Sequence, residues 1–257
     1  SINNSIKNLL KNQKINSVSI IVCQSGYGEA LKIINKEFKN KINIRLHLNL
    51  TDGKSINNQK IYNYSFIKLL LMPYVPFYRN EMKFIKKEIL EQIRIYKNDF
   101  NLKTISIDGH QHIHMIPWIF NIIFMNRNKY NIKYMRKPRE CFYVSEIKDI
   151  FKLKYLINIL KFCVLKTLDK YLEKKINKFK YKYSFSGILY TGINTVRSVQ
   201  RIIKIADKKN LQYLEILFHP GKCCESEKKL FSKSFYEYYF SNQRIVEQKI
   251  LNNLKLN

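Results

Sequence analysis

Apolar positions along this chain recur at two periods. Short runs rich in Val and Ile alternate with longer stretches in which apolar residues return every three or four positions. The runs 17–23 (SVSIIVC), 42–50 (INIRLHLNL), 103–108 (KTISID), 131–136 (NIKYMR), 183–190 (YSFSGILY) and 212–220 (QYLEILFHP) predict strands. Helices are expected over 27–38, 117–128, 146–176 and 194–209, and within 233–254. Another is expected to start at Asn80 as its cap, with Met82, Ile85, Ile89, Ile93 and Tyr96 on one apolar stripe. The segment 56–80, aromatic and broken by Pro73 and Pro76, reads as a lid or loop insertion.

Strands alternating with helices imply an α/β fold built on a parallel sheet or barrel. The 257 residues suffice for one large core, and neither linker composition nor a sequence repeat divides them, so a single domain over 1–257 is expected.

Composition narrows the function. No run of eighteen apolar residues occurs, so no transmembrane segment is expected, and the first residues lack the apolar region of a secretory signal. The five cysteines are scattered and form no C-x-x-C pair, which argues against a disulfide framework and a thiolate zinc site, and makes the cytoplasm the expected compartment. A formal net charge of +28 raises the question of nucleic acid. However, 38 of the 47 basic residues are lysines spread along the whole chain, and arginine, the bidentate reader of bases and phosphates, is scarce. The lysines are read as solvated faces, and no specific nucleic-acid binding is expected.

The rare residues gather at strand ends. Of seven glycines, Gly53, Gly109, Gly187, Gly192 and Gly221 fall just after a predicted strand or in its turn. All five histidines do likewise: His47 in LHLNLTDG, His110, His112 and His114 in DGHQHIH, and His219 in LFHPG. In parallel barrels that rim is where ligand-binding groups converge, and imidazole is the commonest metal ligand. Each residue also has a plainer role. His47 could be a core histidine bonded to a carbonyl, Asp108 a cap, and His219 a turn marker. Strand alternation would put the three clustered histidines on one face, but the Asp-Gly turn takes the later ones off the strand if it ends there. Their shared rim position favours a metal site.

The segments RLHLNLTDGKSI, SIDGHQHIHMIPWIF, YMRKPRE, FSGILYTG and LEILFHPG, in this order, resemble the YdjC-type carbohydrate deacetylase family of chitooligosaccharide and hopanoid-biosynthesis deacetylases. The resemblance implies a TIM-like (β/α) barrel that binds one divalent ion, magnesium or zinc, and removes N-acetyl groups from an amino-sugar oligosaccharide or glycolipid. By position it implies His47 and His110 as metal ligands, His219 as general acid and Asp108 as a supporting carboxylate. Arg136, Glu140 and His112 would stand on the substrate side. The expected partners are an acetylated amino sugar and at most a second copy of the chain as a homodimer.

The family opens with a strand ending in Asp-Asp-Phe-Gly-Leu-Ser, which supplies a metal-binding Asp and the base. The residues from Ser1 onward resemble the family's stretch just after that strand, and Asp52 comes after a different one. The barrel is therefore expected to lack its first strand here, to be a poor catalyst as it stands, and to be preceded in its gene by that segment. The alternative is a non-catalytic carbohydrate-binding relative. The segment 155–178 could also lie as a basic amphipathic helix on a membrane surface, although a core helix with solvated lysines is the plainer reading.

Overall fold

The computed structural model describes residues 1–62, 64–181, 183–223 and 238–254. Strands β1 (Ser17–Ile20), β2 (Asn43–Leu48), β3 (Ile105–Gly109) and β4 (Ile132–Met135) form one parallel sheet in chain order. Strands β5 (Ser184–Ser186) and β6 (Leu214–Ile216) form a second parallel pair. A bridge between Tyr134 and Lys180, with the Lys180 N–H donating to the Lys133 carbonyl at 2.7 Å, carries the arc from β4 toward β5.

Parallel neighbours need a crossover, and the helices supply it. They are α1 (Ile2–Lys11), α2 (Tyr27–Ile33), α3 (Phe66–Leu71), α4 (Arg79–Asp99), α5 (Pro117–Met125), α6 (Arg127–Tyr130), α7 (Leu153–Ile176), α8 (Val196–Lys208) and α9 (Gln243–Asn253). The predicted α/β class with a parallel sheet is what forms. Among the described residues no ladder joins β6 to β1, so the arc is not closed into a barrel. The free edge of β1 borders a groove of about 200 Å³ walled by α1, α2, Cys223 and Tyr239.

Burial explains the pattern read from the sequence. Leu46, Leu48, Ile105 and Ile107 are buried in the central strands, and Ile85, Ile89, Ile93 and Tyr96 of α4 pack on the sheet. Asn80 does not cap α4. Two short 3-10 turns, Met72–Tyr74 and Pro76–Tyr78, run directly into it, so the helix begins one residue earlier at Arg79. Within α4, buried Glu88 accepts the Ile56 and Asn57 backbone N–H groups at 2.7 and 3.2 Å and the Tyr62 hydroxyl at 2.5 Å, pinning the segment after β2. Part of that predicted loop is helical: Ser65 caps α3, its hydroxyl accepting the Lys68 N–H.

Helix α1 is not among the predicted helices, although Ile2, Ile6, Leu9 and Leu10 recur at helical spacing; Leu9 and Leu10 are buried. The last predicted helix forms over Gln243–Asn253, and the rest of its expected start, residues 233–237, lies outside the described residues.

Candidate functional site

β2 and β3 pair with His47 opposite Asp108, so both side chains leave neighbouring strands on the same face. His47 Nδ1 lies 2.6 Å from Asp108 Oδ1. A carboxylate only accepts, so Nδ1 carries the proton and Nε2 is the nitrogen left for a ligand. Asp108 is fully buried, and its second oxygen accepts the Ser19 hydroxyl at 2.6 Å and faces Arg136 Nη1 at 2.5 Å. Burial alone would raise this carboxyl's pKa. The charges of Arg136, His47 and Arg45 outweigh that penalty and hold it well below the usual carboxylate range.

The ionic chain continues. Arg136, just beyond β4, grips Glu215 Oε1 through Nε and Nη2 at 2.9 and 2.6 Å. Arg45 Nη1 reaches the same oxygen at 2.5 Å, and the Tyr181 hydroxyl donates to Oε2 at 2.9 Å. Alternating charges therefore run Arg45–Glu215–Arg136–Asp108 and end on the His47 ring, across β2, β3, the end of β4, and β6. Sequence reasoning missed Arg45, Glu215 and Ser19. The available signal was a charged residue inside an apolar strand run, with Arg45 two positions before His47 and hence on its face.

Beyond β3 the strand stops at Gly109, and the histidine alternation stops with it. Residues His110–Met115 form a tight 3-10 segment in which Gln111 and His112 adopt left-handed backbone, φ 51° and 58°. Two consecutive non-glycine residues there cost on the order of 1–3 kcal/mol each, which surrounding packing must supply. Gly109 is required for a different reason: a Cβ on it would sit 2.9 Å from His114 Nδ1 and 3.0 Å from the His114 backbone nitrogen.

The segment distributes its histidines. The His110 ring meets the His47 ring edge-to-face at 5.5 Å. His112 packs edge-on against Phe185 at 5.7 Å, and its Nδ1 has no hydrogen-bond partner among the described residues. His114 lies beneath, wholly buried, and donates from Nε2 to the Arg136 carbonyl at 3.0 Å. Burial, then the charge of His47, pulls the pKa of His110 down to about 3, and burial lowers that of His114 to about 4. Both are neutral imidazoles at pH 7.

His219 follows β6 on the same rim. Its backbone N–H donates to Glu247 Oε2 at 2.5 Å, and its ring meets Tyr238 edge-on at 5.5 Å. Burial, then the charge of Arg244, holds its pKa well below the usual value. Arg244, buried in α9, donates to the Gly221 carbonyl at 2.6 Å and to the Pro220 carbonyl at 3.3 Å, fixing the His-Pro-Gly turn. Glu247 and Arg244 were also missed, since nothing in α9 links them to residue 219 in sequence.

Glu140, which the resemblance implies on the substrate side, is engaged by its own chain. Its buried carboxylate accepts the Ser186 hydroxyl and the backbone N–H groups of Gly187, Ile188 and Leu189 at 2.8, 3.1, 2.8 and 3.0 Å. Both oxygens are spent on the turn after β5, leaving no lone pair directed to a ligand. Asp52 follows β2 and is buried. Its Oδ1 accepts the Gly53 N–H at 2.9 Å, and burial raises its pKa to about 6 against that bond and the Tyr239 hydroxyl.

The donors fit the histidine half of a metal site. His47 is oriented by a carboxylate through Nδ1, as metal-binding imidazoles commonly are, and His110 is neutral, as a ligand must be. Among the described residues, no group of three His, Cys, Asp or Glu side chains is placed to hold an ion.

A family model described as YdjC-like protein matches residues 1–257. A Xenopus laevis protein named carbohydrate deacetylase is 22% identical over 230 residues, covering 80% of this chain and 72% of its own. A crystal structure from Enterococcus faecalis V583, described as a cellobiose-phosphate cleavage protein, superposes with a TM-score of 0.64 at 14% identity. That superposition covers 98% of this chain and 85% of the other, a likeness of fold.

Proposed function

The chain belongs to the YdjC-like protein family, and from that membership and the rim geometry we propose that it is a metal-dependent hydrolase acting on an acetylated amino sugar. The reaction is hydrolysis of the N-acetyl group, on an oligosaccharide or a glycolipid. The observation that carries the reading is the meeting of His47, Asp108, His110 and Arg136 at one end of a parallel sheet, with His219 following β6 at that end. The relative named carbohydrate deacetylase supports the choice of reaction.

In this proposal His47 and His110 hold a divalent ion, zinc or magnesium, which when bound would lower the pKa of a water and polarise the acetyl carbonyl. The rest is the work of the chain. Asp108 keeps the His47 ring in one tautomer and one orientation, and Arg136 keeps Asp108 ionised. His219 is neutral at pH 7, so it must take a proton before it can give one. As water adds to the carbonyl carbon, the neutral imidazole of His219 accepts its proton. When the carbon–nitrogen bond breaks, the same proton goes to the departing amine, leaving acetate and a free amino sugar. His112, beside Phe185, would contact the sugar.

The test is acetate release from di- and tri-N-acetylated chitooligosaccharides by purified protein supplied with zinc or magnesium, with bound metal measured in parallel. Turnover together with about one ion per chain, both lost in His47→Ala and His110→Ala, is the expected result. Metal content unchanged in both variants would sink the assignment of ligands. Sugar binding without turnover would favour a non-catalytic carbohydrate-binding protein.

A further inference from the structure

Helix α7 carries two apolar faces, and only one of them is used by the fold. Tyr155, Asn158, Phe162 and Leu165 turn inward and are buried. On the opposite side Leu153 is 72% exposed and Leu160 66%, with Leu156 and Ile157 exposed between them. At 100° per residue these four lie within one stripe across the helix from the buried face. The preceding turn extends it with Ile147 and Phe151, 80% and 79% exposed. The buried face is that of the expected core helix, while the solvent side carries apolar residues besides the lysines.

The flanks of the stripe are basic. Between Ile147 and Leu168 the only acidic residue is Asp149, which is buried and held by Lys152 at 2.6 Å and by the Tyr190 hydroxyl at 2.9 Å. Lys154 and Lys161 border one side of the stripe and Lys166 the other, and none has an ion-pair partner among the described residues. Partial burial, then the charge of Lys154, lowers the pKa of Lys161.

Topology places this surface at the rim. α7 starts from the connection leaving the C-terminal end of β4, and Asn158 Nδ2 donates to the carbonyls of Leu189 and Thr191 just after β5, at 3.0 Å each. Tyr74 and Phe77, 80% and 88% exposed, lie in the connection after β2 and so leave the same end of the sheet.

We propose that the outer face of the first half of α7, with the turn before it, docks on an anionic lipid surface, Leu153, Leu156, Ile157 and Leu160 entering the interface while the lysines meet the headgroups. An apolar stripe flanked by unpaired cations is what such a surface recognises, whereas a protein partner of like composition would be repelled by the charge. The inference stands apart from the deacetylase reading. Combined with it, docking would bring the rim toward a substrate held in the bilayer.

The experiment is vesicle co-sedimentation of the whole chain with phosphatidylcholine alone and with phosphatidylglycerol mixed in, at about 0.1 and about 0.5 M salt. The wild type should bind the anionic vesicles and leave them at the higher salt. The triple variant Leu153→Gln, Ile157→Gln, Leu160→Gln alters no charge and none of the residues buried beneath α7; it should keep a melting curve close to the wild type's and bind roughly tenfold more weakly or worse. Equal binding by both proteins would assign the attraction to dispersed lysines and overturn the proposal. So would absence of wild-type binding, or a micromolar wild-type dimer that the triple variant dissociates, which would make a second copy the occupant.

Discussion

His47 and Asp108 are register partners on adjacent parallel strands, joined Nδ1 to Oδ1 at 2.6 Å. The strand pairing itself thus fixes the imidazole, and the carboxylate in turn is fixed by Arg136 and Ser19. Asp108→Asn removes the charge that Arg136 faces and can present an amide N–H to a nitrogen that is itself a donor. Arg136 keeps Glu215 but loses its second carboxylate, and stability should fall by roughly 1–3 kcal/mol, the cost of leaving a buried donor unsatisfied. Metal affinity or turnover in the remaining folded protein should fall about 10–100-fold. Denaturant titration beside acetate-release kinetics measures both; a variant unchanged in either would deny Asp108 the positioning role.

The prediction for His219 concerns rate and not stability. If its imidazole carries the proton from water to amine, His219→Ala should lower turnover by roughly 10²–10⁴. Metal content should stay at the wild-type level. Loss of the ion together with activity would instead make His219 a ligand.

Glu140 should behave as a structural residue. In Glu140→Gln, an amide replaces a carboxylate that accepts from four donors, so at least one donor meets another donor. A loss of roughly 1–3 kcal/mol in unfolding free energy is expected, with KM close to wild type in the folded fraction. A large rise in KM with stability intact would return Glu140 to the substrate side.

His114 makes folding sensitive to acid. Its folded pKa of about 4 lies below the 6.5 of an unperturbed histidine, so between these values the unfolded chain binds more protons than the folded one. The contribution is complete above about pH 6.5 and is lost as pH falls toward 4. For this residue alone the loss between pH 8 and pH 5 is on the order of 2 kcal/mol. His114→Gln removes the titration while its amide can still donate to the Arg136 carbonyl. Its unfolding free energy should therefore fall less between those pH values than the wild type's; parallel slopes would show that His114 is not the group concerned.

The local rules were enough for part of this. Period-two and period-3.6 patterns identified β1–β6 and most helices because burial on a sheet or on one helix face leaves a repeat in the sequence, as Ile85, Ile89, Ile93 and Tyr96 show. The clustering of histidines at strand ends was equally legible, since a parallel sheet brings all its C-terminal ends to one side. Tertiary structure decided what no local rule contains. The turn at Gly109 and the left-handed pair Gln111–His112 split three alternating histidines into a rim pair and a buried one. The links Arg45–Glu215 and His219–Glu247 join residues far apart in the chain, where no period can register them. The four donors on Glu140 were not legible either, because a carboxylate reads the same in sequence whether it meets substrate or its own chain. The second apolar face of α7 is in the sequence too, but only the packed fold shows which face the core has left uncovered.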